Sequence, residues 1–107
     1  MSSLELINAL FDDIDSSDAE LRRRLQGQDH DALIKALKQR ADDHMDGDVE
    51  DALRCGQLII HIGRVLERLS YVALGTMVIG DATYSQGDPR SAWGILEEAG
   101  NIFKQAD

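Results

Sequence analysis

Cysteine is nearly absent, with Cys55 alone among 107 residues. A lone thiol excludes an internal disulfide framework and suits a reducing compartment, so the expected location is cytoplasmic. Proline is equally scarce, and the aromatic set is small: one Trp, two Tyr and two Phe. A sheet is built from β-branched and aromatic strands. A chain poor in aromatics and rich in Leu and Ala points to an all-α fold. Basic residues are outnumbered, eleven against twenty acidic, for a formal charge of −9. That balance repels phosphate backbones and anionic lipid, and it argues against nucleic-acid and membrane partners. The one basic cluster, Arg22-Arg23-Arg24, points in three directions on a helix and reads as a solvated face near a helix C-terminus. Long apolar runs are also lacking. Leu58-Ile59-Ile60 is broken by His61, and no basic-then-apolar segment opens the chain, so neither a membrane span nor a secretion signal is expected. The length suits one domain, residues 1–107.

What the chain does have is helix punctuation. Ser2 with Glu5 and Ser17 with Glu20 share the Ser-x-x-Glu spacing that satisfies amide donors at a helix start. A first helix over about Leu4 to Ile14 carries an apolar stripe of Leu4, Ile7, Leu10, Phe11 and Ile14. A short polar helix over Asp18 to Leu25 can bury Ala19, Leu21 and Leu25, and Gly27 ends it. The third, about Asp31 to Met45, turns Leu33, Ile34, Leu37 and Ala41 to one side. The fourth, about Val49 to Arg68, carries Ala52, Gly56, Ile59 and Gly63 on one face. Interior glycines cost about 1 kcal/mol each relative to Ala, which close helix packing would offset. The fifth, about Tyr71 to Ser85, is apolar nearly all round and is expected to be the most buried. The sixth runs from Pro89 to about Gln105.

The stretch around residues 79–99 organises the rest. Gly87 can supply the left-handed residue that ends a helix, Asp88 can cap the next, and Pro89 suits its first position. Gly80 on one helix and Ala92 and Ala99 on the next are small residues where the two could touch. Asp46-Gly47-Asp48 repeats the turn chemistry of Gln86-Gly87-Asp88, and Ala52 follows Gly47 as Ala92 follows Gly87, a period of 40 residues. Ile79-Gly80, Ala92, Leu96 and Ala99 together resemble a tetratricopeptide repeat, in which a large residue and Gly precede Ala, a bulky residue and Ala on the second helix. The chain departs from that pattern at Thr83, where an aromatic is usual, and at Lys104, where Pro often stands. Gln39-Arg40 replaces the Ile-Gly pair in the earlier half, and the period exceeds the usual length of about 34. The resemblance implies antiparallel hairpins in a right-handed superhelical array of about six helices. Residues 1–28 form N-terminal helices, 31–68 a divergent repeat and 71–105 a clearer one.

Chemistry is harder to find. Residues 42–48 are rich in oxygen donors, but a calcium loop starting at Asp42 would need its closing carboxylate where Leu53 stands. His30, His44 and His61 have no His or Cys at the spacings that share a metal, and Cys55 lies six residues from His61. No phosphate loop, serine elbow or paired-carboxylate signature occurs, so no metal, cofactor or catalysis is expected. A binding surface remains. The resemblance implies a concave face, lined by the first helix of each pair, that holds a peptide or partner helix. Its candidates are Leu37, Ala41 and His44 from the third helix, and Leu74, Met77, Asp81 and Tyr84 from the fifth; the other reading is that they fill the core, the preferred one for Leu37 and Leu74. The alternative is a structural or self-associating bundle, with Ile95, Ile102 and Phe103 pairing two copies through the last helix or meeting a further part of a longer protein.

Overall fold

The computed structural model describes residues 3–12 and 17–106. Six α-helices follow one another, with no strand among the described residues: α1 (Ser3–Asp12), α2 (Asp18–Leu25), α3 (His30–His44), α4 (Val49–Val65), α5 (Leu69–Ser85) and α6 (Pro89–Ala106). The expected capping at Ser2 and the end of the first helix at Ile14 fall outside the described residues. Four of the five later helix starts are capped by a side chain, α5 alone following Arg68 without a side-chain cap. Ser17 accepts a hydrogen bond from the Glu20 amide, Asp29 from that of Ala32, Asp48 from that of Asp51 and Asp88 from that of Ser91, each satisfying an amide with no partner inside its own helix. Glu20 does not close the expected capping box, because its carboxylate is taken by Arg23 and Arg24.

Helix ends differ more from expectation. Gly27 and Gly87 take the left-handed conformation, with φ of +74° and +88°, as the sequence suggests. Gly47 does not, so the two 40-residue units share the Asp cap and not the glycine turn. The fourth helix stops at Val65, short of the expected Arg68, and Glu67 adopts φ +56°. There the Arg68 amide reaches back to the Gly63 carbonyl at 2.8 Å, the closure that normally calls for Gly.

The core gathers one stripe from each of the first five helices. Leu25, Leu33, Leu37, Leu58, Ile59 and Ile62 have no appreciable exposure, and Leu6, Ile7, Leu10 and Phe11 close it from the α1 side. Leu4, expected inside, is 64% exposed, and Leu6 takes the buried position. Ala19 is likewise exposed. The α4 and α5 backbones come nearly into contact. A Cβ on Gly75 would lie 2.7 Å from the Gly56 carbonyl oxygen, and one on Gly63 2.8 Å from the Val72 nitrogen, so these glycines permit the packing that offsets their helix cost. On the other side of α5, a Cβ on Gly80 would meet Leu96 at 2.6 Å, and Ala92 and Ala99 are buried. α5 therefore lies between α4 and α6, while α3 packs on α4, α1 on α3 and α2 on α4. Yet α5 is not the most buried helix. Both α4 and α5 have seventeen residues, of which nine are buried in α4 and seven in α5, because Leu74, Met77 and Asp81 on α5 are left half-covered.

Candidate functional site: the face between α3 and α5

α3 and α5 pack side by side, and the residues they leave uncovered follow helical spacing. Asp31, Lys35, Lys38 and Asp42 run along α3, and Ser70, Leu74, Met77, Asp81 and Tyr84 along α5. A hollow of about 320 Å³ lies where both helices begin, floored by Ile34, Tyr71 and Leu74, with Lys35 and Phe103 among its walls. Another, of about 450 Å³, lies where both end, beside Met45, Val49 and Tyr84. The first hollow is stiffened by its own contacts. The Tyr71 hydroxyl donates to Asp31, and the Arg68 guanidinium lies 4.5 Å from the Tyr71 ring centre and 3.8 Å from Asp31. Lys38 pairs with Asp42 at 2.6 Å. Lys35 has no ion pair among the described residues.

Asp81 is the electrostatic exception. It is half-buried on this face and makes no hydrogen bond or ion pair among the described residues. Burial pushes its carboxyl above the ordinary range; Lys38, already held by Asp42, pulls the other way. A partly desolvated carboxylate without a cation is unfavourable in an isolated domain.

The residues expected on a binding surface separate into three groups. Met77 and Asp81 are half-covered on this face, and Tyr84 is 65% exposed at its end. Leu37 and Ala41 have no exposure. They fill the core, so the structure corrects their placement on a surface, because the α3 stripe they belong to is the one that meets α4. His44 is turned away too: its Nδ1 lies 2.6 Å from the Asp51 carboxylate on α4. Of the residues expected to self-associate, Ile95 and Ile102 are half-buried, and Phe103, 37% exposed, edges the first hollow. The spacing of Asp31, Lys35, Lys38 and Asp42 in the sequence already marks a polar face. What it does not show is that Phe103, far along the chain, closes one end of it.

A second polar cluster lies between α3 and α4. Buried Asp51 accepts from Arg40 Nε at 2.8 Å and Nη2 at 2.9 Å, and its oxygen near His44 requires the proton on Nδ1. The guanidinium, chiefly, holds the Asp51 carboxyl below its usual range against the effect of burial. Arg40 and Arg54 also flank the Phe11 ring at 4.8 and 4.9 Å, tying α1 to the clamp. His44, Asp48 and Asp51 bring ligand atoms within 4.8 Å of one another. Both Asp51 oxygens already serve Arg40, and Asp48 caps α4, so a cation would have to displace a guanidinium. The cluster acts as a clamp. Beside it, burial and the Asp51 charge push the Cys55 thiol up to about 12, where little nucleophilic thiolate exists at neutral pH. His30 and His61 are spent on the Leu25 carbonyl and on Asp18.

These features define an all-helical domain whose open face lies between α3 and α5. Comparison with family models, curated proteins and solved structures finds no match to this chain. None of its described helices is long and apolar enough to cross a membrane.

Proposed function

We propose that this domain is a non-catalytic, cytoplasmic protein-interaction module that holds a basic amphipathic peptide or helix along the α3–α5 face. The observation that carries the reading is Asp81. A partly desolvated carboxylate with no directly paired cation, its pKa raised chiefly by burial, lowers the stability of the free domain, and such groups persist where function needs them. It follows half-covered Leu74 and Met77 along α5, on a face with a hollow at each end, so a bound segment would place a Lys or Arg on Asp81 and apolar side chains beside Met77 and in the hollow near Tyr71. The formal charge of −9 raises the encounter rate with a basic partner. The tetratricopeptide-like reading agrees, since the exposed face belongs to the first helix of each hairpin, and Asp48 and Asp88, like Ala52 and Ala92, occupy matching cap and buried positions 40 residues apart.

Selection from a displayed random-peptide library tests this, with the unmodified protein and the Asp81→Asn and Met77→Glu variants as parallel baits. The expected winners combine a Lys or Arg with apolar residues a helical turn away. They lose about tenfold in affinity, or roughly 1.4 kcal/mol, on Asp81→Asn. Winners that bind folded Met77→Glu equally well, or no enrichment at all, would refute the reading.

A further inference from the structure

A second uncovered face lies on α6, and its chemistry is self-complementary. Trp93 is 73% exposed and borders a hollow of about 420 Å³ whose other walls are Leu96, Glu97, Gly100, Asn101 and Lys104, all on the same helix. Trp93, Glu97, Gly100 and Lys104 follow one another at spacings of four, three and four, the seam spacing of a helix that pairs with another helix. At Gly100 a Cβ would meet nothing within 4 Å. Glu97 and Lys104 carry opposite charge on that seam, and neither has a hydrogen bond or ion pair among the described residues.

The geometry points to an antiparallel pairing of α6 with α6 of a second copy of this chain. When two identical seams run antiparallel about a two-fold axis, Trp93 of one copy falls opposite Lys104 of the other, and Glu97 opposite Gly100. Each placement is chemically favourable. The indole covers the lysine stem and faces its ammonium. The bare Gly100 gives room for the Glu97 stem, whose carboxylate then lies one layer from the opposite Lys104. Two-fold symmetry makes every contact twice. A parallel pairing would set Glu97 against Glu97 and Lys104 against Lys104, so the charges select the antiparallel register. This inference does not rest on the α3–α5 reading, and it places self-association on the seam from Trp93 to Lys104, centred between Glu97 and Gly100, in place of Ile95, Ile102 and Phe103. The seam is short and half polar, so the dimer is weak and forms reversibly at high concentration.

Sedimentation velocity over a series up to millimolar chain decides it, together with the emission of Trp93, the only tryptophan. The unmodified protein is expected to dimerise as concentration rises, with Trp93 emission moving to shorter wavelength. Lys104→Glu and Glu97→Lys should each weaken the dimer at least tenfold with helicity unchanged, and the double variant should regain most of the loss. Phe103→Glu should leave dimerisation intact. A chain that stays monomeric at millimolar concentration overturns the inference. So does a dimer indifferent to both single charge reversals, a double variant no better than the singles, or a dimer abolished by Phe103→Glu alone.

Discussion

Gly75 and Gly94 are both helical glycines, and they respond in opposite ways to one added methyl group. At Gly75 the obstructing atoms are the Ile60 Cγ1 at 2.7 Å and two backbone atoms, the Gly56 carbonyl oxygen at 2.7 Å and the Ile60 nitrogen at 2.9 Å, and the backbone pair can yield only if α4 and α5 separate. Gly75→Ala is therefore expected to destabilise the fold by about 2–3 kcal/mol in urea titration. At Gly94 nothing lies within 4 Å, and Gly94→Ala should stabilise it by about 0.5–1 kcal/mol through helix propensity alone. Equal effects would mean that the α4–α5 contact is looser than drawn. Two aspartates form a second contrast, read in pH. Asp51 has a lowered carboxyl pKa because Arg40 holds its charged form; its contribution is complete above the unfolded value of about 4 and is lost as pH falls through the lower folded value. Asp81 has a raised one; its contribution is present below about 4 and is lost as pH rises through the higher folded value. At pH 7, Asp51→Asn should cost about 2 kcal/mol, less than a fully buried pair because Arg40 is partly exposed. Asp81→Asn should raise the melting temperature by a few degrees. Both differences should shrink in melts below pH 4.

At the scale of helices, the turn between α4 and α5 shows where sequence reading ends. Starts were legible because their chemistry is local: Ser17, Asp48 and Asp88 each cap an amide three residues on. Ends were legible where glycine marked them, at Gly27 and Gly87. At Glu67 no such mark exists. A helix-favouring residue takes φ +56° because the packing of Gly63 against Val72 fixes where α5 must turn back, a tertiary demand invisible to spacing. Replacing Glu67 with Gly should remove a left-handed penalty of about 1–2 kcal/mol, offset in part by the greater freedom of Gly in the unfolded chain. A net gain of about 0.5–1 kcal/mol is expected in thermal melts, and a loss would mean that the Glu67 side chain contributes to the turn. The candidate site divides along the same line. Met77, Asp81 and Tyr84 were legible as one face of an apolar helix. Leu37 and Ala41 were misplaced because periodicity gives a stripe without saying which neighbour covers it. The Arg40–Asp51 clamp, eleven residues apart and on two helices, left no spacing signal.

Across the whole molecule, cohesion is uneven. α5 is held on both sides, by the glycine-mediated contact with α4 and by Leu96, Ala92 and Ala99 of α6, whereas α1 rests on α3 and the Phe11 contacts, and α2 has eight residues of which only Leu21 and Leu25 are buried. Long-range contacts tie α2 down, among them those in which Arg22 donates to the Val65 carbonyl, Arg24 to that of Ala9, and His61 pairs with Asp18. Contacts of this kind, exposed or only partly buried, contribute about 1 kcal/mol each, and so short a helix has little stability of its own. Opening of the first two helices should therefore cost far less than unfolding α4 to α6, where backbone contact and full burial make the helices cooperative. Native-state hydrogen exchange is the direct measurement. Amides in the middle of α4 and α5 should exchange only through global unfolding, with a strong denaturant dependence. Those of α1 and α2 should exchange through local opening, largely independent of denaturant at low concentration. Phe11→Ala should speed exchange in α1 far more than in α5, because Phe11 lies between the Arg40 and Arg54 guanidiniums. Equal acceleration in both would show a single cooperative unit, in which α1 is as integral to the fold as α3 itself.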